Sequence, residues 1–562
     1  MNVAEYLVDF LIKREVDHVF GIPGGVVLDL LYAFDARKEI TPHLSYHEQA
    51  AAFEACGYAQ VNHTLGVAYA TRGPGFTNMI TGIADAYSDS IPVMFITAHS
   101  GRRVGHSVRF EKEQELDTVQ MVKHITKYAV TIDDLNEVVE KIYCAYAKAV
   151  TGRKGPVLLD FSANLWLKEL EEEVWFGENE LFDEQIEIYE VISKMYMESK
   201  KPVILIGDGI RQAGKVEELV QFVNKLNVPV LSSRCSQDIG ARCNNYFGYI
   251  GSHGLRYSNF IFAKSDFVLA LGNRIAFPLE SKSFLKAFEN KKMVRLDIDS
   301  AELRKEILNV VSLQVSLDYF FENLKDLCIE NVISDLWITI CSHIKEQLKL
   351  HDVNKIVGSI KELFDILPCE YTIVTDVGNN EFWVSRGYEI ANIKNRILYS
   401  KSFAALGCGL GKAIGAYYAT KRPILCIVGD QGFQLNIQEL QFIAQEKLPI
   451  VICVINNMSS GMIKDHEEKK GKHYLIHTTR ECGYSSPDLK MIARSYRMQY
   501  KVIETENIIE IKEILDGLNA PIILENRFEE NIALTPILPK GDLIQDMFPK
   551  MNEELYKHLE QL

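Results

Sequence analysis

The 562-residue chain lacks a surplus of basic residues: 61 Lys and Arg stand against 76 Asp and Glu, for a formal charge of -15. A nucleic-acid surface needs clustered cations to meet the phosphate backbone, so no nucleic-acid partner is expected and a small-molecule substrate is favoured. There is no CxxC pair and no Cys/His spacing of a zinc site. The eleven cysteines fall mostly inside apolar runs, as Cys408, Cys426 and Cys453 do, which reads as reduced core thiols of a cytoplasmic protein. No apolar run approaches the roughly 20 residues that span a bilayer, so no membrane partner is expected. The N-terminal stretch MNVAEYLVDFLIKREVDHVF carries Glu5 and Asp9 among apolar residues at helical spacing, and reads as a first amphipathic helix rather than a signal peptide.

What the sequence does have is enough apolar matter for several cores, at 47% hydrophobic and 24% charged. Short β-branched runs recur, each followed by a Gly-rich turn and a helical pattern, the signature of parallel α/β layers. The runs form three groups. The first holds Leu65 to Gly75, Ile91 to Ala98 and Gly155 to Ala163, and ends in an acidic stretch from Lys168 to Gln185 that reads as a solvated linker. A second holds Pro202 to Ile210, Val228 to Ser233, Phe267 to Asn273 and Met293 to Asp299, fading into a helical region near residues 315–360. The third holds Tyr371 to Asn380, Arg422 to Gly432, Pro449 to Asn457 and Pro521 to Asn526. The expected fold is α/β with three doubly wound parallel-sheet domains: residues 1–168, a middle domain 188–330 and a third domain 356–540, with a tail over 541–562.

The sharpest signal is in the third group. One apolar run ends in Gly429-Asp430-Gln431-Gly432 and the next in Asn456-Asn457, with Asn457 lying 457 − 430 = 27 positions after Asp430. Glycines at a strand end let backbone amides approach a diphosphate. One carboxylate, one amide oxygen and a backbone carbonyl suit a hard divalent ion that also grips phosphate oxygens. Either motif alone is commoner as an ordinary turn; the pairing at two strand ends favours a diphosphate and Mg²⁺.

The pair resembles the GDG-to-NN motif of thiamine-diphosphate (ThDP) enzymes, and the resemblance runs on through nearly the whole chain. It implies a pyrimidine-binding first domain, a middle domain and a diphosphate-binding third domain. Carried over by position, Asp430 and Asn457 would hold Mg²⁺ through side chains and Ser459 through its carbonyl. Gly378, Gly429, Gln431, Gly432 and Met462 would line the cofactor, although Gln431 stands where the family often has Gly or Ala. SYHEQAAAFEACGYAQ resembles the family's HE-x-x-A-x-x-x-A-x-G-YA stretch and makes Glu48 the glutamate that activates the cofactor's aminopyrimidine. In FAALGCGLGKAIGA, Leu406 matches the apolar wedge that bends the cofactor, and Ala404 the residue whose carbonyl receives its amine.

Within the family, the opening FGIPGG resembles that of acetolactate synthases. It places Gly25 where non-ligating decarboxylases carry a proton-donating Asp or Ser. TRGPGFTN resembles the TSGPG-x-TN loop, and FEKEQELDTVQ places Gln114 at the reaction intermediate, with Glu113 replacing the usual Phe beside it. No His-His pair lies between residues 100 and 130, whereas pyruvate-decarboxylase types use one for proton transfer. The synthase's acceptor residues are poorly kept: Asn164 replaces a Lys, Arg274 is retained but Pro278 replaces the second Arg, and His466 replaces a Trp. Losing two cations points to an acceptor other than a 2-oxo acid, such as an aldehyde or keto sugar. GYIGSHGLRYSNF resembles the synthase's FAD-domain stretch, which leaves FAD open as a further cofactor.

The resemblance thus implies a ThDP- and Mg²⁺-dependent enzyme that decarboxylates a small 2-oxo acid such as pyruvate and ligates the product to a carbonyl acceptor. It implies a homodimer or homotetramer with active sites between chains. A non-ligating 2-oxo-acid decarboxylase and an inactive ThDP-binding scaffold are the alternatives.

Overall fold

The structure, a computed structural model, describes the whole chain apart from residues 101–112, 171–186, 276–285, 290, 305–306, 308, 330–334, 472–473 and 529–531. Its first element is the helix Val3–Ile12. Asn2 accepts a hydrogen bond from the Glu5 amide at 2.9 Å while the Glu5 carboxylate accepts one from the Asn2 amide at 3.0 Å, so the start of the helix satisfies its own orphan donors. The N-terminal stretch is not one helix throughout, as its spacing suggests. A left-handed Glu15 (φ 61) turns the chain, and His18–Gly21 becomes a strand that buries Val19 and Phe20.

Eighteen strands of the described residues build three six-stranded sheets, every pairing parallel. The first contains β1 (His18–Gly21), β2 (Thr41–Leu44), β3 (Gly66–Tyr69), β4 (Val93–His99), β5 (Tyr128–Ile132) and β6 (Val157–Ser162), in the order β2-β1-β3-β4-β6-β5. The second contains β7 (Pro202–Ile206), β8 (Val230–Ser232), β9 (Tyr246–Tyr249), β10 (Phe267–Leu271), β11 (Lys292–Asp297) and β12 (Val310–Gln314), in the order β12-β11-β10-β7-β8-β9. The third contains β13 (Thr372–Thr375), β14 (Ile397–Leu398), β15 (Ile424–Gly429), β16 (Ile450–Asn456), β17 (Gln499–Val502) and β18 (Ile522–Arg527), in the order β14-β13-β15-β16-β18-β17. The first and third sheets therefore share one topology. The second has the doubly wound order of dinucleotide-binding folds.

The chain forms two compact units. One comprises Met1–Glu180, Glu370–Glu381 and Ile397–Ile532 and holds the first and third sheets; the other comprises Leu181–Cys369, Phe382–Arg396 and Ala533–Leu562 and holds the second. In the first unit the helices Glu48–Asn62 and Cys408–Thr420 cross at backbone distance. A Cβ on Gly57 would stand 2.3 Å from the Lys412 carbonyl, and one on Gly415 only 1.9 Å from that of Glu54. This contact welds the two sheet domains along the helix that begins with Glu48. Beside it the Lys412 ammonium pairs with Asp85 at 2.8 Å, both fully buried. No helix among the described residues is long and apolar enough to cross a membrane, and none of the eleven cysteines is in a disulfide.

Candidate functional site

The diphosphate motif stands at the carboxyl ends of neighbouring strands, the end at which open parallel sheets bind ligands. β15 delivers Gly429 and Asp430 into a short helix, Asp430–Leu435, and β16 delivers Asn456 and Asn457. Asp430 is buried; its Oδ1 accepts the Gln431 amide at 3.0 Å and its Oδ2 has no hydrogen-bond partner. Burial raises its pKa to about 6, against the opposite pull of the nearby Tyr484 phenol, which lies outside hydrogen-bond geometry, and of backbone amides. Asn457 is buried too, and its amide lies 3.2 Å from where a Cβ on Gly461 would stand, as does that of Asn379. Ser459 anchors the following loop by donating to the Thr478 carbonyl at 2.8 Å.

Around this turn the backbone stays bare. Gly378 (φ +90) and Gly429 have nothing within 4 Å of a built Cβ. Ala404 adopts a left-handed φ of 54, and Leu406 is 38% exposed with its Cδ1 3.4 Å from the Cβ position of Gly432. Gln431 is exposed, and Met462 is half-buried in the first turn of the helix Gly461–Lys469. An orphaned buried carboxylate oxygen, a neighbouring amide and glycines open to space fit a divalent ion carrying a diphosphate. Among the described residues no cluster of three or more His, Cys, Asp or Glu side chains could hold a metal without such help.

The second assembly surrounds Glu48, first residue of its helix, whose start is capped by His47 accepting the Gln49 amide at 3.1 Å. Asn78 donates to Glu48 Oε2 at 2.9 Å, and Glu48 Oε1 lies 3.1 Å from the Cβ position of Gly75. Thr71 packs against both Gly24 and Gly75, with a built Cβ falling 2.3 and 2.8 Å away. The FGIPGG and TRGPGFTN segments therefore converge on the Glu48 carboxylate. Gly25 faces open space. Gln114, exposed and left-handed (φ 61), rests on Gly73, whose Cβ would meet its carbonyl at 2.4 Å. Among the described residues no hydrogen bond joins Glu48 to Asp430 or Asn457. Asn436 connects their surroundings, donating to the Gly407 carbonyl at 2.8 Å and to Gln49, next to Glu48, at 3.3 Å.

Three residues that organise these assemblies were not singled out by the motifs. Asp376, at the end of β13, is buried and accepts the amides of Val377 at 2.7 Å, Gly407 at 3.1 Å and Gly409 at 3.3 Å. It ties the loop bearing Ala404 and Leu406 to the strand ends. Burial lifts its pKa to about 6 against those amides. Glu54 and Glu439 meet beneath the loop leading to Glu48. Asp376 closes a β-branched run, and that was its available signal; the two glutamates gave none.

The acceptor positions read differently from a synthase. Arg274 is paired with Glu302 at 2.6 Å, Asn164 is exposed, and His466 turns back onto the Met462 carbonyl at 3.1 Å; Pro278 lies outside the described residues. The FAD-like stretch is already engaged within its own unit. Arg256 binds Asp352 and the carbonyls of Met547 and Pro549, the Ser252 carbonyl accepts the Leu538 amide at 2.7 Å, and Asn259 closes on Gly251. These groups seat the C-terminal tail and do not fit a free nucleotide cradle.

Comparison with known proteins agrees with this geometry. Three family models match: the N-terminal TPP binding domain of thiamine pyrophosphate enzymes over residues 1–121, their central domain over 190–324 and their C-terminal TPP binding domain over 376–521. A probable acetolactate synthase large subunit of Methanococcus aeolicus is 30% identical over 97% of this chain and 94% of its own length. The acetolactate synthase large subunit of Lactococcus lactis subsp. lactis (strain IL1403) is 29% identical over 98% and 97%, and the isozyme 2 large subunit of Escherichia coli (strain K12) is 29% identical over 98% and 100%. Full-length similarity, three matching domains and the two assemblies lead to one conclusion: the chain belongs to the thiamine pyrophosphate enzyme family, in its acetolactate synthase-like branch.

Proposed function

We propose that this enzyme uses ThDP and Mg²⁺ to decarboxylate a small 2-oxo acid, pyruvate first among the candidates, and to join the remaining fragment to a carbonyl acceptor. The observation that carries the reading is the orphaned, buried Asp430 oxygen, next in the chain to Gly429, which like Gly378 is open to space. When bound, the cofactor supplies an electron sink that lets a 2-oxo acid lose CO₂. Asp430 and Asn457 hold the metal through their side chains and Ser459 through its carbonyl, while the backbone at Gly378, Gly429, Gln431 and Gly432 receives the diphosphate. Met462 and Leu406 shape the apolar wall and the Ala404 carbonyl accepts the amine. Glu48 holds the proton that the aminopyrimidine exchanges, oriented by Asn78. Gly25 supplies neither bulk nor proton, which leaves room for an acceptor, and Gln114 steadies the bound fragment.

The Arg274–Glu302 pair neutralises the one retained acceptor cation. That supports an uncharged acceptor, an aldehyde, ketone or keto sugar, over a second 2-oxo acid. FAD is left out of the proposal, because its candidate stretch seats the tail. Among the described residues no hydrogen bond joins Glu48 to Asp430 or Asn457 within one chain, which is in keeping with a homo-oligomer whose sites form between chains.

The test is CO₂ release and product mass from pyruvate with ThDP and Mg²⁺, alone and with aldehyde or keto-sugar acceptors. Ligation only with an added acceptor is expected, and Glu48→Gln should lower turnover by about 10² to 10⁴. Acetolactate from pyruvate alone would overturn the acceptor assignment. Aldehyde in proportion to CO₂ would favour a plain decarboxylase, and ThDP binding without turnover a scaffold.

A further inference from the structure

Two buried carboxylic side chains of the first unit face each other with no cation between them. Glu54 lies on the helix that begins with Glu48; Glu439 ends the short turn Ile437–Glu439 that follows the GDQG helix. Both are fully buried. Ser45 Oγ donates to Glu54 Oε2 at 2.6 Å, and the Tyr46 amide donates to both oxygens of Glu439 at 3.1 and 3.2 Å. Glu54 Oε1 is buried with no donor of its own, and the side chain bears on Glu439.

Among the described residues no cation compensates the pair. Lys412 on the crossing helix is paired with Asp85, and no Lys or Arg acts on either glutamate among the described residues. The other titratable groups facing Glu54 are the phenols of Tyr69 and Tyr418, which burial keeps neutral. Two ionised carboxylates do not persist side by side in a dry cavity, so one proton must stay with the pair. Placed on Glu54 Oε1 and donated to Glu439, it satisfies the orphan oxygen.

Ser45 and Tyr46 lead directly through His47 into Glu48, and each is held by one member of the pair. We propose that Glu54 and Glu439 form a one-proton clamp that positions the approach to Glu48, locking the first sheet domain's loop onto the third. The proposal rests on the role given to Glu48 above and adds Glu54 and Glu439 as positioning residues. Burial lifts Glu439 to about 7 and Glu54 well above the ordinary carboxylate range. Since both folded values exceed the unfolded ones, the clamp's stabilisation is complete below the unfolded values. The stabilisation declines as pH rises: the first proton leaves near 7 to give the one-proton state, and the clamp itself is lost as the second leaves at higher pH. The clamp therefore loosens on the alkaline side.

Glu54→Gln tests this, because the amide supplies a permanent N–H where the shared proton sits. The cofactor-free variant should show a shallower fall in unfolding temperature than the unsubstituted protein between about pH 6 and pH 9. In the loaded enzyme the alkaline limb of kcat should move up by about one pH unit with KM for the 2-oxo acid little changed. Glu54→Ala, which keeps neither donor nor acceptor, should lower kcat roughly tenfold or more. Equal slopes for the Glu54→Gln variant and its parent in the unfolding series, or an unmoved alkaline limb, would overturn the clamp. If the parent enzyme turns nothing over, the functional reading fails, and the unfolding series by itself still decides the clamp.

Discussion

Asp376 shows how a single side chain can govern a site it was never credited with. Its carboxylate gathers three amides from the strand end and from the Gly407–Gly409 turn, so it sets where Ala404 and Leu406 stand. Asp376→Ala leaves three buried donors without their acceptor, a cost of about 1–3 kcal/mol. ThDP affinity, measured by titration at saturating Mg²⁺, should fall roughly tenfold or more while kcat at saturation holds within a few-fold, because Glu48 is untouched. A kcat loss with unchanged affinity would place the damage elsewhere. At this scale the sequence picked out as candidates the residues that sit in spaced motifs: Asp430, Asn457, Glu48 and its small-residue helix. It did not disclose Asp376, Glu54 or Glu439, whose partners lie far away in sequence, as the Tyr46–Glu439 contact does at 393 positions. No local pattern records such a pairing.

At the scale of elements, legibility followed burial. The runs recognised as strands are β3, β4 and β6, then β7, β8, β10 and β11, then β13, β15, β16 and β18, nearly all of them continuous apolar stretches. Those not recognised are the six sheet edges, β2, β5, β9, β12, β14 and β17, together with β1. Edge strands meet solvent on one side: β12 and β17 bury none of their residues fully, β5 buries one, and β14 has only two residues. β9 is buried but contains a left-handed Gly248 and so reads as a loop. β1 was absorbed into the helical pattern before it. Helix glycines were equally ambiguous, since a Gly inside a helix normally costs stability. Gly415 earns its place through the 1.9 Å approach to Glu54. Gly415→Ala should lose about 1–3 kcal/mol in urea unfolding. Gly358→Ala, in the helix Lys355–Asp365 with nothing within 4 Å, should gain about 0.4–1 kcal/mol. Equal effects of the two would show that propensity, not the helix crossing, governs these positions.

At the scale of the whole molecule, the domain plan was legible because three clusters of apolar runs map onto three parallel sheets. The fusion of the first and third into one unit was not, because it depends on glycine contacts between helices distant in sequence. Among the described residues Glu48 makes no hydrogen bond to Asp430 or Asn457 within one chain. Phe403, Leu406 and Leu435 are exposed on the same unit as the diphosphate turn, apolar surface that a cofactor and a second chain would cover. If each site takes Glu48 from one chain and Asp430 from its partner, two inactive variants can repair each other. Glu48→Gln and Asp430→Ala, unfolded together and refolded as a mixture, would pair at random. Each mixed dimer would then carry one site with both residues intact and one with neither. About half of the dimers are mixed and half of their sites are intact, so the mixture should recover about a quarter of the parent activity, while each variant refolded alone recovers almost none. A site built within one chain cannot be repaired in this way, because every chain in the mixture carries one of the two lesions; recovery no higher than that of the separate variants would therefore assign Glu48 and Asp430 to the same chain.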